Sequence, residues 1–318
     1  MEVRKVNGFF IIFVIGYIGL SVVCASIMAY AQNSGIAVPD WIQYVMSEGI
    51  MLLIAIIYMI VQKIDPIREI PYKRIGIVDV ILSLVAGYCL IPAVLLISNL
   101  SMLFSTNYLE EGTTTLLTYP FAMQVILLAV IPPLVEELIF RGIFFGSYRK
   151  AGMTGAALMS GLLFGCFHLN INQALYAFVM GIVFAYMVDA TGSLWSSVIA
   201  HFAVNTYSIG IVQILKMAGI YAQDGSVSET FENAESVAGQ STAVTVVQIA
   251  MIAVIAAVFM MLAVLCIRTM AKRHGNLEKM KIQEVKLSHI KNYFTAPVIV
   301  GIVVCVMYMI MLEFSGTL

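Results

Sequence analysis

The sequence predicts an all-α fold: a polytopic transmembrane helical bundle of about nine spans, with eight as the alternative count. Of the 318 residues, 61% are hydrophobic and only 11% are charged, whereas soluble globular domains carry about 25% charged residues. The mean hydropathy is +0.97. Apolar runs of about 20 residues, the length that crosses the hydrocarbon core of a bilayer, recur along the chain. We therefore expect a multi-pass protein of the cell membrane.

Nine apolar runs mark the predicted spans. The first follows a basic start, as in a signal peptide, but its roughly 20 residues exceed the 7–15 apolar residues of such a peptide, which favours a retained span. The short fifth and sixth runs meet at Asn170-Ile171-Asn172, a corner that we expect to be buried because lipid-exposed loops are not tolerated. The predicted spans are residues 8–31, 43–62, 77–103, 120–147, 154–169, 172–189, 193–216, 242–268 and 294–314.

Basic residues indicate how the chain is oriented. If the N-terminus is cytoplasmic, the connecting segments on that side hold 15 of the 17 lysines and arginines. The exceptions are Arg141, which lies within a span, and Lys216. An excess of basic residues in cytoplasmic segments is typical of membrane proteins. The sequence therefore predicts a cytoplasmic N-terminus, and because topology accounts for the basic residues, no nucleic-acid partner is expected.

The fourth span carries ionisable residues at membrane depth, where an unpaired charge costs several kcal/mol. Glu137 and Arg141 are four residues apart, so they share a helix face and can pair. Glu136 points about 100° away and is left for another partner. Pro132 and Pro133 remove backbone donors just upstream and predict a kink. An ion pair between Glu137 and Arg141 can serve helix packing alone, but Glu136 is a second carboxylate in the same span and favours a functional site.

Two histidines lie in later spans. Phe164 and His168 share one face of the fifth span, and His201 and Asn205 share one face of the seventh, because residues four apart are neighbours on a helix. A lone histidine in an apolar helix is more often a packing residue. With a rise of about 1.5 Å per residue, however, both histidines can reach the depth of Glu136. The spacing permits a single site within the membrane.

The polar residues of these spans fall into three ordered motifs, and together the motifs resemble the signature of the CPBP intramembrane proteases. The motifs are Glu136-Glu137-x-x-x-Arg141, Phe164-x-x-x-His168 and His201-x-x-x-Asn205. The family includes the CAAX prenyl endoproteases of eukaryotes and archaea and the bacterial Abi or bacteriocin-immunity proteins. The resemblance runs from Phe121 to Gly210 and does not extend to the first three spans or to the remainder of the chain.

The resemblance implies peptide-bond hydrolysis within the membrane. By family, Glu136 would act with His168 to activate a water molecule, while His201 and Asn205 would hold the developing oxyanion. The residues in a supporting role would be Glu137, Arg141 and Phe164. The implied partners are the lipid bilayer and a substrate that is a CAAX-like or another membrane-associated peptide or protein.

A metal is an open alternative. Glu136, His168 and His201 offer two imidazoles and a carboxylate, which is a known zinc set with water in the fourth position. The glutamate–water scheme needs no ion, so the preferred interpretation expects no cofactor. The five cysteines have no paired spacing, which argues against a disulfide framework and a thiolate metal site.

Two other functions remain possible from the sequence. Glu136, His168 and His201 can form a proton relay in an ion-coupled transporter, although no inverted repeat of the kind found in transporters is visible. A catalytically inactive membrane scaffold is the other alternative.

The resemblance also divides the chain. Residues 1–118 would hold three accessory spans, and residues 119–216 the catalytic core with spans four to seven. Residues 217–318 would hold an external acidic loop, span eight, a basic cytoplasmic loop at 268–292, and span nine. We expect this basic loop to be solvated or to lie on anionic lipid headgroups.

Overall fold

The structure is a computed structural model that describes residues 3–105, 118–219, 242–280 and 291–315. Within these ranges every regular element is helical, and none is a strand. The main helices are α1 Val3–Asn33, α2 Trp41–Val61, α3 Pro66–Glu69, α4 Ile77–Ser101, α5 Phe121–Ala151, α6 Met153–Phe167, α7 Ile171–Thr191, α8 Leu194–Met217, α9 Thr242–Arg273 and α10 Ala296–Ser315.

The predicted all-α membrane bundle is confirmed. Eight helices in the described ranges are long and apolar enough to cross a membrane. The predicted fifth span is α6, an apolar helix of only 15 residues, which is shorter than the roughly 20 residues that span a bilayer. The chain is thus a multi-pass membrane protein with eight full-length candidate spans and one short helix inside the bundle.

Helix α5 is irregular around its two prolines. Its central α-helical segment, Ile131–Glu137, begins with Pro132 and Pro133 at its first positions. A π-helical segment precedes it at Val125–Val130, and a second one follows at Leu138–Phe145. Prolines lack the amide donor that an α-helix requires, and π-helical segments occur frequently at functional sites. The change of helical pitch alters which faces of α5 meet the neighbouring helices.

Small residues allow α6 and α7 to pack closely. A Cβ added to Gly181 of α7 would lie 2.6 Å from the Cα of Gly161 in α6, and 3.3 Å from Nη2 of Arg141. Close backbone approach at small residues is a common basis of helix association in membranes. A side chain at Gly181 would collide with Gly161 and approach the Arg141 guanidinium. The two glycines therefore allow α6 and α7 to pack closely beside that guanidinium.

The corner between α6 and α7 is buried, as its position between two short apolar runs predicts. Asn170 is 6% exposed and caps α7 by accepting a hydrogen bond from the Gln173 amide at 3.2 Å. Asn172 is 1% exposed and its amide donates to the Ser98 carbonyl and the Ser101 hydroxyl at the end of α4, at 3.1 and 2.8 Å. These bonds satisfy the backbone and amide groups that lipid could not.

The first and last helices are joined through one buried asparagine. The amide of Asn7 in α1 donates to the carbonyls of Asn292 and Tyr293, at 2.9 and 3.1 Å, and to the Thr295 hydroxyl at 2.9 Å. The Tyr148 hydroxyl, in the last turns of α5, donates to the Asn7 Oδ1 at 2.6 Å. This network ties α1 and the start of α10 to the α5 helix that carries the glutamates.

Ion pairs join other helices at their ends. Arg149, at the end of α5, lies 2.6 Å from Asp189 near the end of α7. Asp79, at the start of α4, contacts Arg273 at 3.2 Å and His274 at 3.0 Å, just beyond α9. The predicted acidic loop at 222–241 and residues 281–290 of the predicted basic loop lie outside the described residues.

The orientation of the bundle is still a prediction, and it can be tested with fusions. A reporter placed after Leu318 should be extracytoplasmic, whereas one placed within residues 272–291 should be cytoplasmic, because basic segments are retained on the cytoplasmic side. Paired phosphatase and fluorescent-protein fusions measure the two locations. Finding both fusion sites on the same side of the membrane would overturn the predicted topology.

Candidate active site

The motif residues of α5 form a fully buried ion pair. Nη1 of Arg141 lies 3.0 Å from Oε1 of Glu137, and both side chains are 0% exposed, as the four-residue spacing predicts. The guanidinium also lies 4.3 Å from the ring centre of Phe164 and 5.2 Å from that of Phe184. Cation–π contacts add to the attraction when the cation is desolvated. Phe164 therefore supports Arg141 rather than facing lipid.

His201 of α8 lies between the two glutamates. Its Nδ1 is 3.1 Å from Oε1 of Glu137, and its Nε2 is 3.7 Å from Oε2 of Glu136. An ionised carboxylate can only accept hydrogen bonds, so Glu137 favours a proton on Nδ1 and orients the ring. Hydrogen bonding at one imidazole nitrogen sets the tautomer and the direction of the other nitrogen. Glu137 thus contacts both Arg141 and His201, a double contact that helix spacing alone does not reveal.

His168 follows α6 and is partly exposed. Its Nδ1 lies 2.8 Å from the Phe164 carbonyl oxygen. Because a carbonyl only accepts, this contact places a proton on Nδ1 and leaves Nε2 of the neutral ring as an acceptor. The Phe164 ring is close to both histidines: its centre lies 4.7 Å from that of His168 and 5.9 Å from that of His201. Among the ion pairs of the described ranges, it is His201 rather than His168 that contacts Glu136.

Asn205 lies one turn after His201 on α8. Its amide donates to the carbonyl of Leu128 at 2.9 Å, and Leu128 belongs to the first π-helical segment of α5. An asparagine amide carries two donors, so one N–H holds α8 to α5 and the other can serve a bound molecule. The predicted oxyanion role stays a prediction that rests on this second N–H.

Sequence reasoning missed Glu48 of α2. Its carboxylate is close enough to Glu136 and to Tyr17 of α1 to interact electrostatically with both. The signal was present, since Glu48 lies within the predicted second span, and an ionisable residue inside a span indicates a functional site by default. Glu48 shows that α2 contributes to the site as well as the helices that carry the three motifs.

Several polar atoms of this site have no hydrogen-bond partner within the described part of the protein. They include Oε2 of Glu48, of Glu136 and of Glu137, as well as the three guanidinium nitrogens of Arg141. The contact between Arg141 and Glu137 is therefore a close ion pair without hydrogen-bond geometry. Buried polar groups without partners are rare and indicate a reserved binding capacity or a strained site. The arrangement can accept a proton, or a hydrogen bond, from a molecule that enters beside Glu136.

The contacts of Glu136, His168 and His201 can be compared with what the zinc alternative requires. In the described ranges, no group of three His, Cys, Asp or Glu residues is arranged to hold a metal ion. Nε2 of His201 lies 3.7 Å from Oε2 of Glu136, and Nδ1 of His168 is engaged by a backbone carbonyl, which leaves its Nε2 as the possible ligand. A ligating histidine commonly holds a carboxylate or a carbonyl with its other nitrogen, so the zinc alternative stays a prediction.

Comparison with known proteins finds similarity to part of the chain. The family model described as Type II CAAX prenyl endopeptidase Rce1-like matches residues 118–207. A curated protein of Bacillus subtilis, named "Putative membrane peptidase YdiL", is 33% identical over 88 residues. That match covers 27% of this chain and 36% of the relative, so the alignment spans about a third of the relative's length. No solved structure matches the chain.

The family match contains all three motifs, and the predicted resemblance to the CPBP family is thereby confirmed for residues 118–207. The two matches support a membrane protease in general.

Proposed function

We propose that this protein is an intramembrane endopeptidase in which Glu136 activates a water molecule to hydrolyse a peptide bond. One observation carries the proposal: Glu136 lies at membrane depth, 3.7 Å from His201, with an oxygen that accepts no hydrogen bond from the described residues. A carboxylate in this position is a suitable general base, because its free oxygen can take a proton from a water molecule beside it. The family match over residues 118–207 supports the same reaction class.

The first step transfers a proton. Glu136 takes it from water as the water oxygen attacks the carbonyl carbon of the scissile bond, and the C–N bond breaks when the same proton passes to the leaving amine. Nε2 of the neutral His168 ring is an acceptor that can hold the same water. General acid–base catalysis of this kind contributes typically about 10²–10⁴-fold to the rate.

The second requirement is to stabilise the oxyanion that forms. Asn205 offers its remaining N–H, and the ring of His201 becomes a donor at Nε2 when it carries both protons. Glu137, at 3.1 Å from Nδ1, stabilises that doubly protonated ring by its charge. Donors aimed at a developing oxyanion in a dry site contribute roughly 2.7–4 kcal/mol each.

A peptide library tests this proposal and defines the substrate class. Purified protein in phospholipid vesicles is incubated with internally quenched peptides whose central residues are varied, in matched sets with and without a prenyl group. Cleavage should be seen with the intact protein and lost in Glu136→Gln. Preference for the prenylated set would indicate a CAAX-like substrate, and equal cleavage an unlipidated one. Peptides that stay uncut in both sets would contradict the proposal.

We expect the reaction to be independent of metal, since activation of water by Glu136 needs no ion. Treatment with EDTA or 1,10-phenanthroline should leave peptide cleavage unchanged, and elemental analysis of the purified protein should find zinc far below one equivalent. A soluble zinc endopeptidase treated in parallel is the control for complete chelation. Activity that falls with the chelator and returns with added Zn²⁺ would show that a metal takes part in the reaction.

A further inference from the structure

A groove of about 480 Å³ lies beside the candidate site, between α1, α10 and the corner that joins α6 to α7. Its walls include Tyr17 and Ser21 of α1, Gln173 of α7 and Tyr308 of α10, and His168 lies among them. The volume is in the range of binding pockets, which are typically about 300–1,000 Å³. The groove therefore connects the candidate site with two helices outside the segment that the family resemblance covers.

His168 links the groove to the proposed chemistry. Its Nδ1 is held by the Phe164 carbonyl at 2.8 Å, so Nε2 is the nitrogen that remains for a bound molecule. Because His168 is partly exposed and lines the groove, a molecule in the groove meets the ring that we propose to hold the attacking water. The groove thus shares His168 with the proposed site.

The wall formed by α1 is attached to the core. The Phe13 ring stacks on Phe167 with ring centres 4.5 Å apart, and Tyr17 lies 4.8 Å from the same ring. The Tyr17 hydroxyl is 2.8 Å from the Ser47 hydroxyl of α2. Since Phe167 directly precedes His168, these contacts set the position of the wall relative to the proposed catalytic ring.

The lining has a consistent chemical character. It combines hydroxyl and amide groups with apolar side chains, and none of its 13 residues is Asp, Glu, Lys or Arg. An extended peptide suits such walls, because its backbone amides need hydrogen-bond partners at membrane depth while its side chains need apolar surface. A charged side chain does not suit them, because burying a charge without a counter-charge is costly.

We propose that this groove binds an extended, uncharged segment of the substrate on one side of the scissile bond. The inference rests on the proposed peptidase function, and it assigns α1 and α10 a role in substrate selection. It predicts that uncharged residues beside the cleaved bond are selected by the walls of the groove, whereas the reaction itself depends on the motif residues.

Photo-crosslinking tests binding without requiring cleavage. In Glu136→Gln protein, p-benzoylphenylalanine replaces Tyr308, which lines the groove, or its neighbour Met307, which is 60% exposed on the same helix. The probes are the library peptides in phospholipid vesicles. Irradiation should attach peptide at position 308 and far less at 307. Equal labelling at both positions, labelling at neither, or capture of phospholipid instead of peptide at position 308 would overturn the inference.

Cleavage gives an independent readout. Ala25→Trp places a large ring in the groove, whereas Val23→Trp adds the same ring to a residue that is 53% exposed and outside the lining. Ala25→Trp should lower kcat/KM about tenfold or more by occupying the space, and a lysine in the bound segment of the best-cleaved peptide should do the same. Normal kcat/KM both for Ala25→Trp and for the lysine-containing peptide would refute binding in the groove while leaving the peptidase proposal intact.

Discussion

Replacing Glu136 with glutamine should lower kcat/KM for peptide cleavage by at least about 10³-fold, in the upper part of the range for loss of a general base. Glutamine has nearly the same shape but cannot take a proton from water. The fold should persist, because Oε2 of Glu136 accepts no hydrogen bond within the described residues and the neutral amide is less costly to bury than a charge. This variant should therefore lose peptide cleavage while its thermal stability is kept.

The measurement combines cleavage of the best library peptide with thermal unfolding in the same detergent. Glu69→Gln is the matched control, since it makes the same chemical change at an exposed position of α3 and should leave kcat/KM unchanged. Cleavage at the normal rate by Glu136→Gln would remove Glu136 from the reaction. It would then direct attention to Glu48, a second glutamate with an unpartnered oxygen that is not paired with Arg141.

Replacing Arg141 with alanine should destabilise the protein by about 3–5 kcal/mol, the cost of breaking a buried ion pair by removing one partner. The change leaves Glu137 charged, 0% exposed and without its cation. It also removes the group that lies over the Phe164 ring. We expect a lower unfolding temperature and a lower yield of folded protein in membranes, together with a loss of activity.

Two further variants test whether the unpaired charge of Glu137 causes the loss of stability. Glu137→Gln combined with Arg141→Met should recover part of the lost stability, because a neutral pair leaves no buried charge. Arg68→Ala breaks the exposed pair with Asp65, whose side chains are 87% and 47% exposed, and should cost at most about 1 kcal/mol. A well-folded Arg141→Ala protein without activity would show instead that Arg141 acts in the reaction itself.

The spans were predictable because each depends on a local property, the length of an apolar run. The predicted run at 172–189 became α7 at Ile171–Thr191, and the run at 77–103 became α4 at Ile77–Ser101. The π-helical segments of α5 were not predictable in this way. Pro132 and Pro133 predicted that the helix would be irregular at this point. Whether it kinks or changes its pitch depends on which neighbouring groups bond to its displaced carbonyls, and the hydrogen bond from Asn205 to the Leu128 carbonyl is one example.

The candidate site was predictable where its contacts lie within one helix. The pairing of Glu137 with Arg141 follows from their spacing, and the structure places them 3.0 Å apart. Contacts between helices depend on rotation and depth, which a single sequence does not specify. For that reason the sequence left the partner of Glu136 open, and the structure places His201 beside it at 3.7 Å.

The buried Asn7 also constrains how the protein is made. Its amide bonds to residues 292–295, and the nearest of these lies 285 positions later in the chain. At a synthesis rate of about 5–20 residues per second, roughly 15–60 s pass between the synthesis of α1 and the synthesis of those partners. Until then the polar amide, which is 0% exposed in the finished protein, must be satisfied by water or by the insertion machinery. Residues of α1 and α10 both line the groove, so its lining is assembled only when α10 docks. The groove is therefore complete only after α10 has been synthesised and has packed against α1.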